Sequence, residues 1–374
     1  MGLFGHSKSN TYLGVDIGAS GIKLVELANQ KGRAQLMTYG YTELPVTEGG
    51  EALFERPKEA GLLLAELMKQ TGVKATQAMA ALPSSRVFTT ILSVPASKDK
   101  KMLKAMIDAE VAKLSPLPLS EMITYSTFLD GEEEKKPEKK GGEATLEQTQ
   151  KQEEKKKHVR VLVTGAAKTL VQTYIEIFKA AKLELKAIDT ESFAFIRSLV
   201  GKDKSPILIL DLGARRTNII VVEKGIPFVT RSINIGGSYI TDRLKSQMQL
   251  GDEQAERMKR DMIHMNAQDS GLVGGLPKLF EPMVQPLVNE IRYALQLYAN
   301  MELSEEKKCE KIILTGGSSQ LPRLVEYFSG TLNMNVYRGD PWARVVYPKD
   351  LATVLEEIGP RMSVAIGLGM RELD

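Results

Sequence analysis

Leu13-Gly14-Val15-Asp16-Ile17-Gly18-Ala19-Ser20-Gly21-Ile22-Lys23 runs from apolar residues through Asp-x-Gly and small or polar residues back to apolar ones. That order predicts a β-hairpin whose tight turn carries a carboxylate. Residues 207–221, Ile-Leu-Ile-Leu-Asp211-Leu-Gly213-Ala-Arg215-Arg-Thr217-Asn218-Ile-Ile-Val, repeat the pattern. One Asp-x-Gly turn says little, because both residue types favour turns on conformational grounds alone. Two copies heading the two halves of one chain predict an internal duplication with a shared task.

The residue types suggest what the task is. Gly18 and Gly213 let backbone N–H groups come close to an anion, and Ser20, Lys23 and Thr217 can add donors to phosphate oxygens. Asp16 and Asp211 would repel a bare phosphate. They make sense as the metal-facing pair if Mg2+ lies between them, since Mg2+ keeps several waters and binds carboxylates and phosphates jointly. The expected phosphate-facing set is Gly18, Ala19, Ser20 and Lys23 from the first turn. The second turn adds Gly213, Arg215, Thr217 and Asn218, with Gly236 at the start of the next helix. Neither a Walker phosphate loop nor a protein-kinase glycine loop occurs in the sequence.

Bulk composition narrows the remaining classes. The 374 residues suffice for two domains or one bilobal unit, and 43% hydrophobic with 26% charged residues is ordinary for a globular protein. A formal net charge of +3 does not suggest nucleic-acid binding. Cys309 is the single cysteine, which excludes an intrachain disulfide and a cysteine-based zinc site. His6, His158 and His264 have no metal-ligand spacing. No apolar run reaches the ~18 residues of a membrane span, and residues 1–10 lack a signal-peptide core. A soluble, cytoplasmic, reduced protein is expected, with any membrane association made through a partner.

Along the chain, strands are expected at Leu36–Glu43, Ala78–Leu82, Val87–Val94, Met122–Leu129, Val159–Val163, Ile226–Ile235 and Lys311–Leu314. Helices are expected at Pro57–Gln70, Lys98–Leu114, Thr169–Ala181, Ala187–Leu199, Gly236–Gln249, Glu253–Met265, Leu279–Met301, Pro322–Leu332 and Met362–Glu372. Gly131–Lys157 is different in kind. It holds eight Lys and eight Glu among 27 residues, with Leu146 its one large aliphatic residue, so it is expected to be a solvated loop. Its charges cancel, and no specific electrostatic role follows.

Three further elements have both a structural and a functional reading. Thr315-Gly316-Gly317-Ser318 follows a buried strand and precedes a helix, either as a simple connection or as bare backbone facing an adenine ring. Glu256, Lys259 and Arg260 share one helix face, either as a salt-bridged surface or as contacts to ribose and adenine. Glu191 lies near the start of the interlobe helix. It is either a carboxylate favoured by the helix dipole or a catalytic group orienting water toward a terminal phosphate.

Together these residues resemble the actin, sugar-kinase and heat-shock-chaperone superfamily, in which two lobes clamp ATP–Mg2+ between paired hairpins. The spacing of Glu256, Lys259 and Arg260 is similar to the adenosine-contacting helix of the chaperones. A closer resemblance, over nearly the whole chain, is to the type IV pilus assembly protein PilM family. It is carried by Leu13–Leu27, by Ala81–Leu119 with Ser115-Pro116-Leu117-Pro118-Leu119, and by Glu357-Ile358-Gly359-Pro360 with Ala365–Gly369. Ser192 departs from it, standing where the family often has Pro.

The resemblance implies an α/β, two-lobed actin-like (ribonuclease H-like) fold with a duplicated βαβ core and an FtsA-like extra subdomain. In that arrangement residues 1–10 form a tail and 11–198 a first lobe, with the subdomain at about 83–183 and the charged loop at 131–157. Residues 199–355 form a second lobe, and 356–374 a helix returning to the first. The cofactors implied are ATP and Mg2+, with slow ATP hydrolysis at most. The partners implied are the cytoplasmic tail of PilN and the pilus motor ATPases, with self-association as a further option. No amphipathic membrane-targeting tail of FtsA type is read at the C-terminal end. The alternatives in the same superfamily are a filament-forming division or cytoskeletal protein and a small-molecule phosphotransferase.

Overall fold

A computed structural model describes residues 11–44, 50–129, 158–264 and 280–373. The expected tail at 1–10, the whole charged loop at 131–157, and the ends of two expected helices at Met265 and Leu279 lie outside the described residues. The chain divides into two compact units, Arg86–Gln172 and the remainder.

The larger unit contains two sheets of the same design. In the first, β1 (Thr11–Gly18), β2 (Gly21–Gln30) and β3 (Arg33–Tyr41) form an antiparallel meander. Next to β1, β4 (Gln77–Leu82) and then β8 (Glu184–Thr190) pair in parallel. In the second, β9 (Ile207–Leu212), β10 (Thr217–Glu223) and β11 (Ile226–Ile233) repeat the meander. There β12 (Lys311–Thr315) and β13 (Asn335–Arg338) repeat the parallel extension. The matching strand orders, 3-2-1-4-8 and 11-10-9-12-13, are the duplication expected from the hairpins, and the first sheet adds β14 (Val345–Val346) beside β3.

The strands adjacent to the turns are buried on both faces, as their near-continuous apolar sequences require. Leu208, Ile209, Leu210, Ile219, Ile220 and Val221 are fully enclosed. Behind β9–β12 lies a core closed by α6 (Gly237–Met248) and α8 (Glu281–Asn300), and α7 (Asp252–His264) packs on α6. In the first lobe α2 (Pro57–Thr71) ends at Gly72 in the left-handed conformation, as the Thr-Gly stop signal predicts. Tyr174 of α4 (Lys168–Ala180) bonds the Ala81 carbonyl at 2.8 Å.

Two expectations need correction. Ala187–Leu199 is not one helix, because residues through Thr190 form β8 on the edge of the first sheet. The Thr190 hydroxyl accepts from the Phe193 N–H, so α5 begins at Glu191 and runs to Phe195, followed by a π turn over Ile196–Val200. Ala187 and Ile188 fit either period, and only the free edge of β4 decides between them. The final helix, α10, is Ala352–Gly369 rather than Met362–Glu372 and contains Pro360. Pro360 has no N–H for the preceding turn, where Gln320 Nε2 donates to the Glu357 carbonyl at 2.5 Å, and its own carbonyl accepts from the Gly316 N–H and the Thr315 hydroxyl at 3.0 and 3.2 Å. Leu355, Ile358, Met362, Ala365 and Ile366 keep helical spacing across it and are buried against Val25 and Leu27.

The smaller unit is a three-stranded antiparallel sheet, β5 (Val87–Pro95), β7 (His158–Ala167) and β6 (Met122–Phe128), in the order β5-β7-β6. Its core joins Leu92, Val94, Val161 and Val163 to Ile107 and Val111 of α3 (Lys100–Leu114). The Asp99 side chain caps that helix, accepting from the N–H groups of Lys101 and Met102.

Candidate nucleotide site

The two Asp-x-Gly turns have equivalent places in the two sheets. In the first, Gly18 opposes Gly21, leaving Ala19 and Ser20 as the turn, and Asp16 lies across from Lys23. In the second, Asp211 lies across from Asn218, and Gly213 N–H closes the turn on the Arg216 carbonyl at 3.0 Å. Each cross-strand partner reaches its aspartate: Lys23 Nζ is 3.1 Å from Asp16 Oδ2, and Asn218 Nδ2 is 2.9 Å from Asp211 Oδ2. The pairing is alike and the charge is not, since Asp16 has a cation beside it and Asp211 a neutral amide.

Glu191 completes the acidic group. It occupies the first turn of α5, where Ser84 N–H donates to its Oε2 at 2.7 Å and Asn218 Nδ2 lies 3.4 Å away. Asn218 therefore connects Glu191 to Asp211. Burial pushes the Glu191 carboxyl up to about 8, the Asp16 and Asp211 charges add to the rise, and the Ser84 N–H opposes it. Burial lifts Asp211 to about 6 against its bond from Asn218, with Asp16 adding and Lys23 opposing. Three carboxylates thus lie in mutual Coulomb range, and burial and their neighbours' charges make two of them resist ionisation. Among the described residues no three His, Cys, Asp or Glu side chains converge closely enough to cage a metal directly. Asp16 and Asp211 are the residues that would hold a Mg2+, which would supply positive charge between them and a phosphate.

The second turn meets the glycine elements. Gly237 N–H donates to the Gly213 carbonyl at 3.0 Å and Ser238 N–H to the Ala214 carbonyl at 2.7 Å, which places Gly236 against Ala214 and Arg215. Ser318 Oγ donates to the same Gly213 carbonyl at 3.2 Å. Gly316 has φ +82°, and a Cβ there would lie 2.5 Å from Asp211 Oδ1 and from the Leu212 carbonyl. Only glycine both adopts that angle and lets the turn close on the aspartate. The fully buried Thr217 gives its hydroxyl to the Ile235 carbonyl at 2.7 Å, so it fixes the hairpin.

On α7, Lys259 Nζ bonds Glu256 Oε2 at 2.6 Å, Thr241 Oγ1 at 2.9 Å and the Gly237 carbonyl at 3.3 Å. Glu256 and Lys259 thus reach the turn that holds Ser318, while Arg260 turns instead to Glu43, 2.8 Å away. Gly317 lies against the side chain of Arg361. Four participants were not legible in advance: Ser84, Arg216, Glu43 and Arg361. Arg216 extends from the second turn to Ser85 Oγ at 2.7 Å, across from the first sheet. Nothing local ties Ser84 to Glu191, 107 positions away along the chain.

These sheets and turns define an actin-like protein. A profile of the type IV pilus assembly protein PilM family matches residues 14–141 and 144–373, and the chain belongs to that family. Over 97% of this chain and 98% of the other, the fold is similar to that in a solved PilM–PilN type IV pilus biogenesis complex, with 24% identity and a TM-score of 0.76. Ethanolamine utilization protein EutJ from Carboxydothermus hydrogenoformans is similar over 96% of this chain and 89% of its own, with 16% identity and a TM-score of 0.54. Cell division protein FtsA of Bacillus subtilis (strain 168) is 25% identical over 199 residues, which span 48% of this chain and 44% of that protein. No helix among the described residues is long and apolar enough to cross a membrane.

The raised Glu191 carboxyl makes stability depend on pH. Its folded value of about 8 lies above the ordinary 4.5, so the folded chain binds the extra proton between those values. Its contribution is present below about pH 4.5 and is lost as pH climbs through 8. Glu191→Gln is expected to raise the melting temperature of the nucleotide-free protein by a few degrees at pH 8 and to leave it unchanged near pH 4. Equal melting shifts at both pH values would contradict the assignment.

Proposed function

We propose that this chain is an ATP–Mg2+-binding adaptor in type IV pilus assembly, and that it binds the cytoplasmic tail of a PilN-like membrane protein. The observation that carries the nucleotide half is the convergence of Asp16, Asp211 and Glu191 from two copies of one hairpin and the helix between them. Family membership supports the pilus half, and the likeness of fold to a PilM–PilN complex supports a PilN-like tail as partner. Through that tail the chain would sit at the inner membrane, and from there it would contact the motor ATPases. ATP touching both lobes biases them toward the closed arrangement by its differential affinity for it.

Hydrolysis would be slow. Glu191 would orient water toward the terminal phosphate from the first turn of α5. The nucleotide then serves as a structural effector, and closure rather than turnover sets partner affinity.

A pull-down of the full chain with the synthetic cytoplasmic tail of a PilN-like protein, with and without ATP–Mg2+, tests this reading. Capture strengthened several-fold by ATP–Mg2+ is expected. Equal capture in both conditions would uncouple the two sites and defeat the mechanism. Nucleotide-dependent sedimentation without the tail would favour the filament reading, and brisk ADP release with a metabolite panel the phosphotransferase one.

A further inference from the structure

Glu43 follows β3 and is fixed to the first phosphate turn by its backbone neighbours. Thr42 N–H donates to the Ile22 carbonyl at 2.8 Å, Leu44 N–H to the Ser20 carbonyl at 3.0 Å, and Ile22 N–H to Thr42 Oγ1 at 2.9 Å. The segment therefore moves with the Ala19-Ser20 turn. The two oxygens of its carboxylate are shared between two elements. Oε2 accepts from Arg260 Nη1 of α7 at 2.8 Å, and Oε1 accepts from Arg361 Nη1 of α10 at 2.9 Å.

Both arginines belong to the side of the site assigned to adenosine. Arg361 lies along Gly317, with its Cγ and Nε each 3.5 Å from where a Cβ of that glycine would be. Arg260 also pairs with Glu256 at 3.5 Å, and Glu256 holds Lys259 on the Gly237 carbonyl. One carboxylate thus connects the turn that would face phosphate in the first lobe to the helix and glycine turn that would face the nucleoside. The two guanidinium groups outweigh the effect of burial and hold the Glu43 carboxyl below its usual range.

We infer that Glu43 is an interlobe latch: it ties the first phosphate turn to Arg260 of α7 while Arg361 of α10 steadies its other oxygen, and it must release Arg260 before a bound nucleotide can leave. The inference rests on the nucleotide function proposed above. The latch is built to open. Glu43 and Arg260 side chains are 41% and 42% exposed, so water and salt screen the pairs and each holds weakly. A buried version would lock the lobes, whereas this one slows their separation. Because the latch is attached to the Ser20 carbonyl, a shift of the phosphate turn is transmitted to the nucleoside side without any change in the sheet.

Stopped-flow release of fluorescent N-methylanthraniloyl-ATP, with Mg2+ and an excess of ATP as chase, tests the latch on the full chain. Glu43→Gln is expected to speed release about fivefold, the size expected for two partly exposed ion pairs, and Arg361→Gln by a smaller factor, because it leaves the Arg260 pair in place. The double variant should be no faster than Glu43→Gln, because either change opens the Arg361 arm. Raising ionic strength should bring wild-type release toward the variant rate and leave Glu43→Gln nearly unaffected. Release at the wild-type rate by Glu43→Gln, with nucleotide still bound, would overturn the latch alone. If the wild-type chain takes up no labelled nucleotide, the functional reading fails, and the latch fails with it.

Discussion

Gly367→Ala is expected to cost about 4 kcal/mol or more, the upper end for a single substitution. The new Cβ would lie 1.9 Å from the Ala194 carbonyl oxygen and 2.6 Å from its carbon, at the point where α10 crosses α5. Neither backbone can yield easily. On its other side α10 lies against β1, where Gly14 has no room either, a Cβ there meeting the Ala365 oxygen at 2.0 Å. The helix is held between a strand and a helix with glycine at each contact, and Leu368 and Val364 fill the core between the two sheets. Denaturant unfolding measures the loss, with Gly330→Ala as control. Gly330 is exposed with nothing within 4 Å, so alanine there should be neutral or stabilising by up to about 1 kcal/mol. A loss at Gly367 no greater than about 1 kcal/mol would contradict the close crossing.

Asp211→Asn carries the second large effect, and its sign on stability is opposite. The amide removes the charge that would face Mg2+ while keeping an oxygen for the Asn218 amide, which donates to Asp211 Oδ2 at 2.9 Å. Affinity for ATP in the presence of Mg2+ is expected to fall about 100-fold, the scale of removing one charged partner from an enclosed site. Stability should not fall with it. The Asp211 carboxyl is raised to about 6, so its folded-state contribution is lost as pH rises through 6, and the neutral amide escapes that loss. Isothermal titration with Mg2+–ATP beside a melting curve at pH 7.5 reads both quantities. Weak binding together with a lowered melting temperature would mean that Asp211 holds the fold rather than a ligand.

The parts of this molecule legible in the sequence are those that local patterns determine. The hairpins announced themselves because apolar runs flanking Asp-x-Gly leave the chain few alternatives, and their repetition carried the two-sheet design. The break between β8 and α5 was hidden. Ala187 and Ile188 suit either element, and the deciding partner, β4, lies a hundred residues back in the chain. The start of α10 was hidden too, since an interior proline is tolerated only through bonds from another element, here Gln320 Nε2 to the Glu357 carbonyl in the preceding turn. The site divides similarly. Asp16 and Asp211 could be picked out by motif, but Glu43 and Arg361 are 318 positions apart and nothing local pairs them.

The order in which the strands and helices are strung has a consequence for synthesis. The first sheet draws its edge strand β14 and its covering helix α10 from the last thirty or so residues described, so Val25, Leu27, Ala34 and Leu36 lack the helix that buries them until those residues exist. A nascent chain leaving the ribosome would therefore carry an unsheltered apolar face on its earliest strands while everything else is made, the circumstance in which chaperones are recruited. An N-terminal fragment should be insoluble however well its hairpin is formed, and the last helix acts as the stitch that makes folding all-or-none.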